Sequence, residues 1–234
     1  MNFLALAQKL RQECEIAGTG PADTTTQTGE LQRLVSWVND AWEDIQNKKT
    51  NWRWMRRQFT LNTVLGDGTY ASSDATDVDA ATTIARFGHW WAHDIYDPYL
   101  SYLQSGGVSQ QYRLIWLPWE QFRWLYRVGT QNNGQPIHVS VDHKNNLCLG
   151  PAPNGVYVIT GDFQRSIQSL TADADIPEMP TQFHKLIVYW AMVKYGANSV
   201  AAEILTRSQL DGARLMSALE FDQLPQPCLG DPLA

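Results

Sequence analysis

Two histidines and two aspartates close together in the sequence are the residues best suited to chemistry in this chain. His89 and His93 are four residues apart, a spacing that on a helix would place two imidazoles on one face, where they could bind zinc. The zinc-protease motif also needs a glutamate directly after the first histidine, and Trp90 stands there. Asp94 and Asp97 could be the carboxylate pair of a glycoside hydrolase, but their spacing in a loop does not fix their separation in space. We therefore interpret the histidines as part of an aromatic cluster and predict no metal site here.

Other catalytic motifs are incomplete. Gly66-Asp67-Gly68 lacks the third glycine of a phosphate-binding loop, and no serine lies in a Gly-x-Ser-x-Gly turn. Cys14, Cys148 and Cys228 are far apart, and their spacing matches neither a metal site nor a disulfide framework. The sequence therefore predicts a protein that is not an enzyme, with no catalytic residues, no metal and no cofactor.

The charge distribution does not favour a protein that grips nucleic acid. The formal net charge is −6, and the basic residues cluster only at Arg53, Arg56 and Arg57. A protein that binds DNA through its phosphates needs a broader basic surface. If DNA meets this chain, we expect it to pass without sequence-specific binding, because a surface that repels phosphates favours sliding.

Neither a membrane span nor a secretion signal is predicted. No apolar run reaches the length of about 18 residues that a transmembrane helix requires. Between Met1 and Glu15 the basic residues follow the apolar ones, whereas a signal peptide has its positive charge first. We therefore expect the chain to stay in the cytoplasm of the cell that makes it.

Apolar residues at three- and four-residue spacing predict helices near both ends of the chain. The first helix is predicted over residues 1–16, with Asn2 as its N-cap. Residues 183–195 predict a later helix that ends or kinks at Gly196 and Asn198, followed by a second helical stretch. The residues predicted to form the core of a helical bundle, or its subunit contacts, are Leu31, Leu34, Val38, Trp42, Phe183, Leu186 and Trp190.

The middle of the chain is predicted to be rich in β-structure. Alternating apolar residues predict strands over residues 52–64, 137–141, 147–149 and 156–163. Because short turns join the last three strands, we expect them to form an antiparallel meander. A short helix is predicted over residues 118–128, and residues 66–83 are predicted to be an exposed loop with a helical turn near its end.

The end of the chain is predicted to be an extended arm. Prolines separate its apolar side chains, disfavour a helix and remove backbone donors that a sheet would use. Such a peptide could place alternate side chains in pockets of a neighbouring protein and become ordered only there. The residues assigned to this arm are Leu219, Phe221, Leu224, Pro225, Pro227, Leu229 and Leu233.

Together these elements predict an α+β protein. Its N- and C-terminal helices would form a bundle, with an inserted antiparallel β-rich region and an extended C-terminal arm. The expected boundaries are residues 1–51 for the N-terminal helices, 52–175 for the insertion with its loops, 176–218 for the C-terminal helices and 219–234 for the arm.

A series of short features in a fixed order resembles the head-to-tail adaptor proteins of tailed bacteriophages. The resemblance covers roughly residues 28–218 and rests on the order of the features, since no single motif is diagnostic. After the N-terminal helices these features are Trp52-Arg53-Trp54 before a strand, an aromatic segment, Gly134-Gln135-Pro136, Leu149-Gly150-Pro151-Ala152-Pro153 with Tyr157, and Ile176-Pro177-Glu178-Met179-Pro180 before a helix that contains Tyr189-Trp190-Ala191.

This resemblance implies a structural role at the head–tail junction of the virion, with assembly in the host cytoplasm. It implies a homo-oligomeric ring of twelve copies that attaches to the portal protein after genome packaging, and a chain that can be monomeric in isolation. The ring would extend the DNA channel and offer a platform to tail or neck proteins. By position, residues 219–234 correspond to the flexible arm that reaches the portal in related adaptors.

Two alternatives remain open from the sequence. A carbohydrate-binding or hydrolytic virion protein could use Trp90, Trp91 and Trp116 as stacking platforms, and would need a concave site with converging carboxylates. A tail-terminator protein, which caps a tail tube, would also be structural. The adaptor interpretation requires instead a C-terminal tail that does not pack within its own chain.

Overall fold

The computed structural model describes residues 1–91, the backbone of 101–104, and residues 111–199 and 201–225. The chain is an α+β protein that divides into two compact units. The helical unit consists of Met1–Trp54 and the described residues from Ile167 onward, and the β unit consists of Met55–Ser166. The β unit is shorter than the predicted insertion because residues from Ile167 onward belong with the helices.

The helices, in chain order, are α1 (Phe3–Glu13), α2 (Gly29–Asn47), α3 (Trp119–Tyr126), α4 (His184–Ser199) and α5 (Ala202–Gln223). Of these, α3 belongs to the β unit and matches the short helix predicted over residues 118–128. The predicted cap of α1 is confirmed, since the side chain of Asn2 accepts a hydrogen bond from the backbone N–H of Ala5 at 2.9 Å.

The core of the helical unit lies where α4 packs against α1, α2 and α5. Leu34, Val38 and Trp42 on α2 are completely buried, as their helical spacing requires. Leu186 on α4 is also completely buried, and Phe183, just before α4, is 6% exposed. The other two predicted core residues, Leu31 and Trp190, are only partly buried.

The helix break predicted at Gly196 and Asn198, with a second helix after it, is confirmed to within one residue of Asn198, since α4 ends at Ser199 and α5 begins at Ala202. Only its placement at Gly196 is wrong, because that residue lies inside α4. Gly196 is buried and allows close packing between two helices. A Cβ atom at this position would lie 3.1 Å from the Cβ atom of Leu205 on α5. The glycine therefore lets α5 approach α4, and that contact outweighs its low helix propensity.

The predicted start of the C-terminal arm at residue 219 is also wrong. Helix α5 continues to Gln223, and Leu219 is completely buried in the helical unit. The first proline of this segment, Pro225, lies two positions after the last helical residue, Gln223. Proline disfavours the helical conformation of the residue directly before it, so the helix ends at Gln223 and Leu224 is extended.

The strands are β1 (Arg56–Asn62), β2 (Thr69–Tyr70), β3 (Thr76–Asp77), β4 (Thr82–Thr83), β5 (His89–Trp91), β6 (Ser101–Gln104), β7 (Gln111–Trp116), β8 (His138–Val141), β9 (Leu147–Gly150) and β10 (Val158–Gln164). Their order in the sheet is β2-β9-β8-β7-β6-β10-β1-β3-β4, and β5 also pairs with β10. The β7–β8 pair is parallel, and the other pairs are antiparallel.

The predicted meander is only partly right. Strands β8 and β9 form the expected antiparallel hairpin, but β10 pairs with β1 along its whole length. Phe59 on β1 and Ile159 and Phe163 on β10 are buried in one hydrophobic core. Burial of these side chains favours a long-range strand pair over the shorter local one.

Two further segments differ from the prediction. The strand expected from residue 52 begins at Arg56, since the ring of Trp52 stacks on Trp54 with centroids 4.5 Å apart, within the helical unit. The expected loop over residues 66–83 contains β2, β3 and β4, and Tyr70 within it is 2% exposed. The alternating tryptophans at 52 and 54 therefore reflect a stacked pair and not a strand. In the polar segment 66–83, Tyr70 supplies the buried side chain.

Candidate interaction surfaces

Of the histidines and aspartates with possible catalytic or metal-binding roles, the structure describes only His89. His89 lies on β5, where its ring stacks on Trp91 with centroids 5.9 Å apart, and burial lowers the pKa of this histidine. His93, Asp94 and Asp97 lie outside the described residues. Among the described residues, no three histidine, cysteine or acidic side chains form a group that could hold a metal ion.

The tryptophans considered as sugar-binding platforms are occupied by other contacts. Trp90 is 5% exposed, packs at 4.6 Å on the ring of Phe59 and donates a hydrogen bond of 2.8 Å to the backbone carbonyl of Asn145. The guanidinium of Arg56 lies 4.6 Å from the centroid of the Trp91 ring. Trp116 is partly buried against the hydrophobic core. The alternative in which Trp90 acts as a stacking platform is therefore disfavoured, since its ring belongs to the core.

The residues assigned to a docking arm fall into three groups. Leu219 is a buried residue of α5, whereas Phe221, two positions later, is 76% exposed. Leu224 follows the helix in an extended conformation, and Pro225 after it is exposed. Pro227, Leu229 and Leu233 lie outside the described residues.

Helix α3 is seated on the β unit through one of its faces. Phe122 is completely buried, and the hydroxyl of Tyr126 lies 2.7 Å from Nδ1 of His138 on β8. Burial raises the pKa of Tyr126 and lowers the pKa of His138. Gly150 on β9 makes this seat possible, because a Cβ atom there would lie 2.5 Å from the ring of Tyr126.

The exposed side of α3 carries a large aromatic residue and, at its edge, an aliphatic one. Trp124 is 74% exposed and Leu125 is 41% exposed. Together with Glu120 and Gln121 they form a surface that we call the outer α3 face. Exposed aromatic side chains on a rigid base are typical of protein–protein contacts.

A groove lies on the helical unit between α2, α4 and α5. Its volume is about 420 Å³. Its apolar wall includes Trp190, Val193 and Met216. Gly212 also lines it, and a Cβ atom added at Gly212 would lie 3.6 Å from the Trp190 ring. We call this cleft the helical groove.

Two lysines border the helical groove. The ammonium of Lys48 lies 5.2 Å from the centroid of the Trp190 ring, in a cation–π contact. Lys194 forms an ion pair of 2.7 Å with Asp44. Asp44 also lines the groove and neutralises Lys194, so the cationic edge consists of Lys48. An apolar wall beside one cation suits a protein segment with an aromatic and an acidic residue.

Sequence reasoning missed both surfaces, although each left a signal. Five of the eight residues of α3 are apolar or aromatic, more than one face of a short helix can bury. Trp190 was assigned by its spacing to the bundle core or to a subunit contact, and the small residue Gly212 on α5 leaves its ring partly open to the groove. Pairing of a tryptophan with a glycine from a distant helix cannot be predicted from spacing alone.

Comparison with known proteins identifies one family. A family model described as SU10 adaptor protein matches residues 1–224. No curated protein matches the chain. None of the helices in the described part of the chain combines the length and the apolar character needed to cross a membrane.

Proposed function

The chain belongs to the SU10 adaptor protein family, a phage head-to-tail adaptor family, and we propose that it assembles into a ring that joins the portal to the tail. The ring would contain twelve copies and dock under the portal protein after the genome has been packaged. It would extend the DNA channel and offer an attachment surface to tail or neck proteins. The observation that carries this proposal is the family match, which spans residues of both the helical unit and the β unit.

The family has a structural role in the phage particle at the head–tail junction and is not an enzyme class. This favours the adaptor over a sugar-binding or hydrolytic virion protein, as does the burial of Trp90. It also favours the adaptor over a tail terminator. We infer that assembly takes place in the host cytoplasm and that DNA passes through the ring without sequence-specific contacts, in keeping with the net charge of −6.

Portal binding is assigned to the segment that follows α5. Leu224 has extended backbone angles, φ −92° and ψ 151°, so the helical conformation ends at this residue. The prolines after it favour an extended peptide, which binds by placing side chains in pockets of its partner. The contact residues proposed for this arm are Leu224, Pro225, Pro227, Leu229 and Leu233, together with Phe221 on the last turn of α5.

The test is to mix the purified chain with purified portal rings and to measure particle mass. We expect the mass of each portal ring to rise by about twelve chains, the symmetry proposed for the ring. Portal rings treated with the same chain after thermal unfolding serve as the control. If folded chain leaves the mass of the portal unchanged, the proposed docking is wrong.

A further inference from the structure

We propose that neighbouring copies in the ring contact each other by placing the outer α3 face of one copy in the helical groove of the next. Trp124 would lie against Trp190 of the second copy, and Glu120 would pair with Lys48 of that copy. This inference rests on the proposed function, because it assigns the contact between the copies of that ring.

The outer α3 face is held in place before any partner binds. Phe122 is buried beneath the helix, and the contact between Tyr126 and His138 fixes its last turn. A rigid helix loses little conformational freedom when Trp124 is covered, and this lowers the cost of association. Tryptophan is also the residue type that most often dominates the energy of protein contacts.

The helical groove provides a matching surface. Its volume of about 420 Å³ and its apolar wall, with Trp190 and Met216, can receive one large aromatic side chain. Two indole rings that meet edge to face or offset attract each other in addition to the gain from burying their area. Gly212 keeps the groove open at its floor.

The charges of the two surfaces are complementary. Glu120 lies on the same side of α3 as Trp124, four residues away, and forms no ion pair with the described residues. In the described part of the chain, Lys48 contacts the Trp190 ring and no carboxylate lies within ion-pair distance of it. Glu120 beside Trp124 on one copy is thus complementary in charge to Lys48 beside Trp190 on the next copy.

A second copy of this chain is the occupant that the two surfaces favour. One surface is a protruding helix face that carries Glu120 and the other is a cleft bordered by Lys48, so the contact joins two different patches. Such a heterologous contact adds copies in one direction, and it generates a ring when the rotation between copies closes. Each copy then supplies both halves of the contact in equal number.

Cross-linking between two single-cysteine variants tests the contact directly. Gln121→Cys labels the outer α3 face and Gln209→Cys labels the edge of the helical groove, both at exposed positions. Cys228 would be replaced by serine in both chains, and Cys14 and Cys148 are buried. We expect a short bis-maleimide to link the two variants when they are mixed, at high concentration or on portal rings, and to link neither variant to itself.

Two results in that experiment would overturn the proposal. One is a mixture that yields no more linked dimer than the separate variants. The other is Trp124→Ala leaving the yield unchanged, since the tryptophan is the centre of the proposed contact. Val156→Ala is the matched control, because Val156 is 75% exposed, close to the 74% of Trp124, but lies outside both surfaces.

Charge reversal tests the contact between copies independently of docking to the portal. Glu120→Lys and Lys48→Glu should each lower the yield of linked dimer about tenfold, and their combination across the interface should restore it. Attachment of wild-type chain to portal rings is measured in parallel. If the wild type attaches but charge reversal has no effect, the adaptor function stands and the contact proposed here is wrong. If the wild type does not attach but rescue is seen, the contact stands and the docking is wrong.

Discussion

The side chain of Gln46 on α2 and the backbone of Gln168 exchange two hydrogen bonds. The N–H of Gln168 donates to Oε1 at 2.8 Å, and Nε2 donates to the carbonyl oxygen of Gln168 at 2.9 Å. Two residues further on, the N–H of Leu170 donates to Oδ1 of Asn39 at 2.7 Å. Side chains of α2 thereby bind backbone groups that a neighbouring strand would otherwise bind, and they hold the segment that leads to α4.

Replacing Gln46 with leucine should destabilise the helical unit. Gln46 is 2% exposed, and Gln46→Leu leaves two partly buried backbone groups of Gln168 without their partner. The expected loss of unfolding free energy is about 1–3 kcal/mol for each unsatisfied group. Urea unfolding followed by tryptophan fluorescence measures it. Gln32→Leu, at an exposed position of the same helix, should change stability by less than about 0.5 kcal/mol.

Leu34 should be one of the most sensitive positions of α2. Its side chain is completely buried, and Leu34→Ala should cost about 2–5 kcal/mol, because the truncation leaves a cavity that the helices cannot close. Leu210→Ala is the matched control, since Leu210 is 69% exposed on α5. Equal urea midpoints for the two variants would contradict the packing of the helical unit described here.

Gly150 should accept no side chain without displacing α3. In Gly150→Ala the added Cβ atom would lie 2.5 Å from Tyr126 and 2.8 Å from Phe122, and such overpacking costs about 1–3 kcal/mol. Displacing Tyr126 also exposes His138, whose pKa is lowered by burial. The pKa of His138, followed by NMR, should therefore rise toward its ordinary value. Gly155→Ala should leave both quantities unchanged, as its nearest neighbour would lie 4.0 Å away.

The sequence predicted the helices and strands of this protein better than it predicted which of them pair or pack together. The helices of the helical unit follow from spacing, because residues such as Leu34, Val38 and Trp42 must share one face. The pairing of β10 with β1 depends on a core that forms between distant segments. Local turn residues therefore predicted the β8–β9 hairpin correctly but not the third strand.

The candidate surfaces were harder to predict for a related physical reason. A residue's spacing shows that one helix face is apolar, but not whether another element covers it. Trp124 is exposed because Phe122 and Tyr126 already occupy the contact of α3 with the sheet. Leu219 is buried because α5 continues one turn further than the prolines of the segment suggested. Both outcomes depend on packing between elements.

The turn at Asp23, in the loop between α1 and α2, should make stability depend on pH in the acid range. Thr26 donates to Asp23 from its hydroxyl and its backbone N–H, Thr25 adds a backbone donor, and these bonds lower the pKa of Asp23 from 3.8 to about 2. The pKa of Asp23 is lower in the folded state than in the unfolded state. Its contribution to stability is therefore complete above pH 3.8 and is lost as the pH falls through about 2.

The stability difference between wild type and Asp23→Asn should therefore shrink as the solution is acidified through this range. Carboxyl NMR titration measures the pKa directly. An ordinary midpoint near 3.8 for Asp23 would show that the turn does not hold the carboxylate as described.

Two truncations should separate the folding role of α5 from the docking role of the segment after it. A chain that ends at Pro225 keeps all of α5, so its melting temperature should match that of the full chain while its attachment to portal rings is lost. A chain that ends at Ala218 also loses Leu219, which is completely buried, and should be less stable by at least about 2–5 kcal/mol. Calorimetry and portal-ring mass measurements on the same two chains test both expectations. Full attachment by the chain ending at Pro225 would show that the portal contact lies elsewhere, and equal melting temperatures for the two truncations would contradict the burial of Leu219.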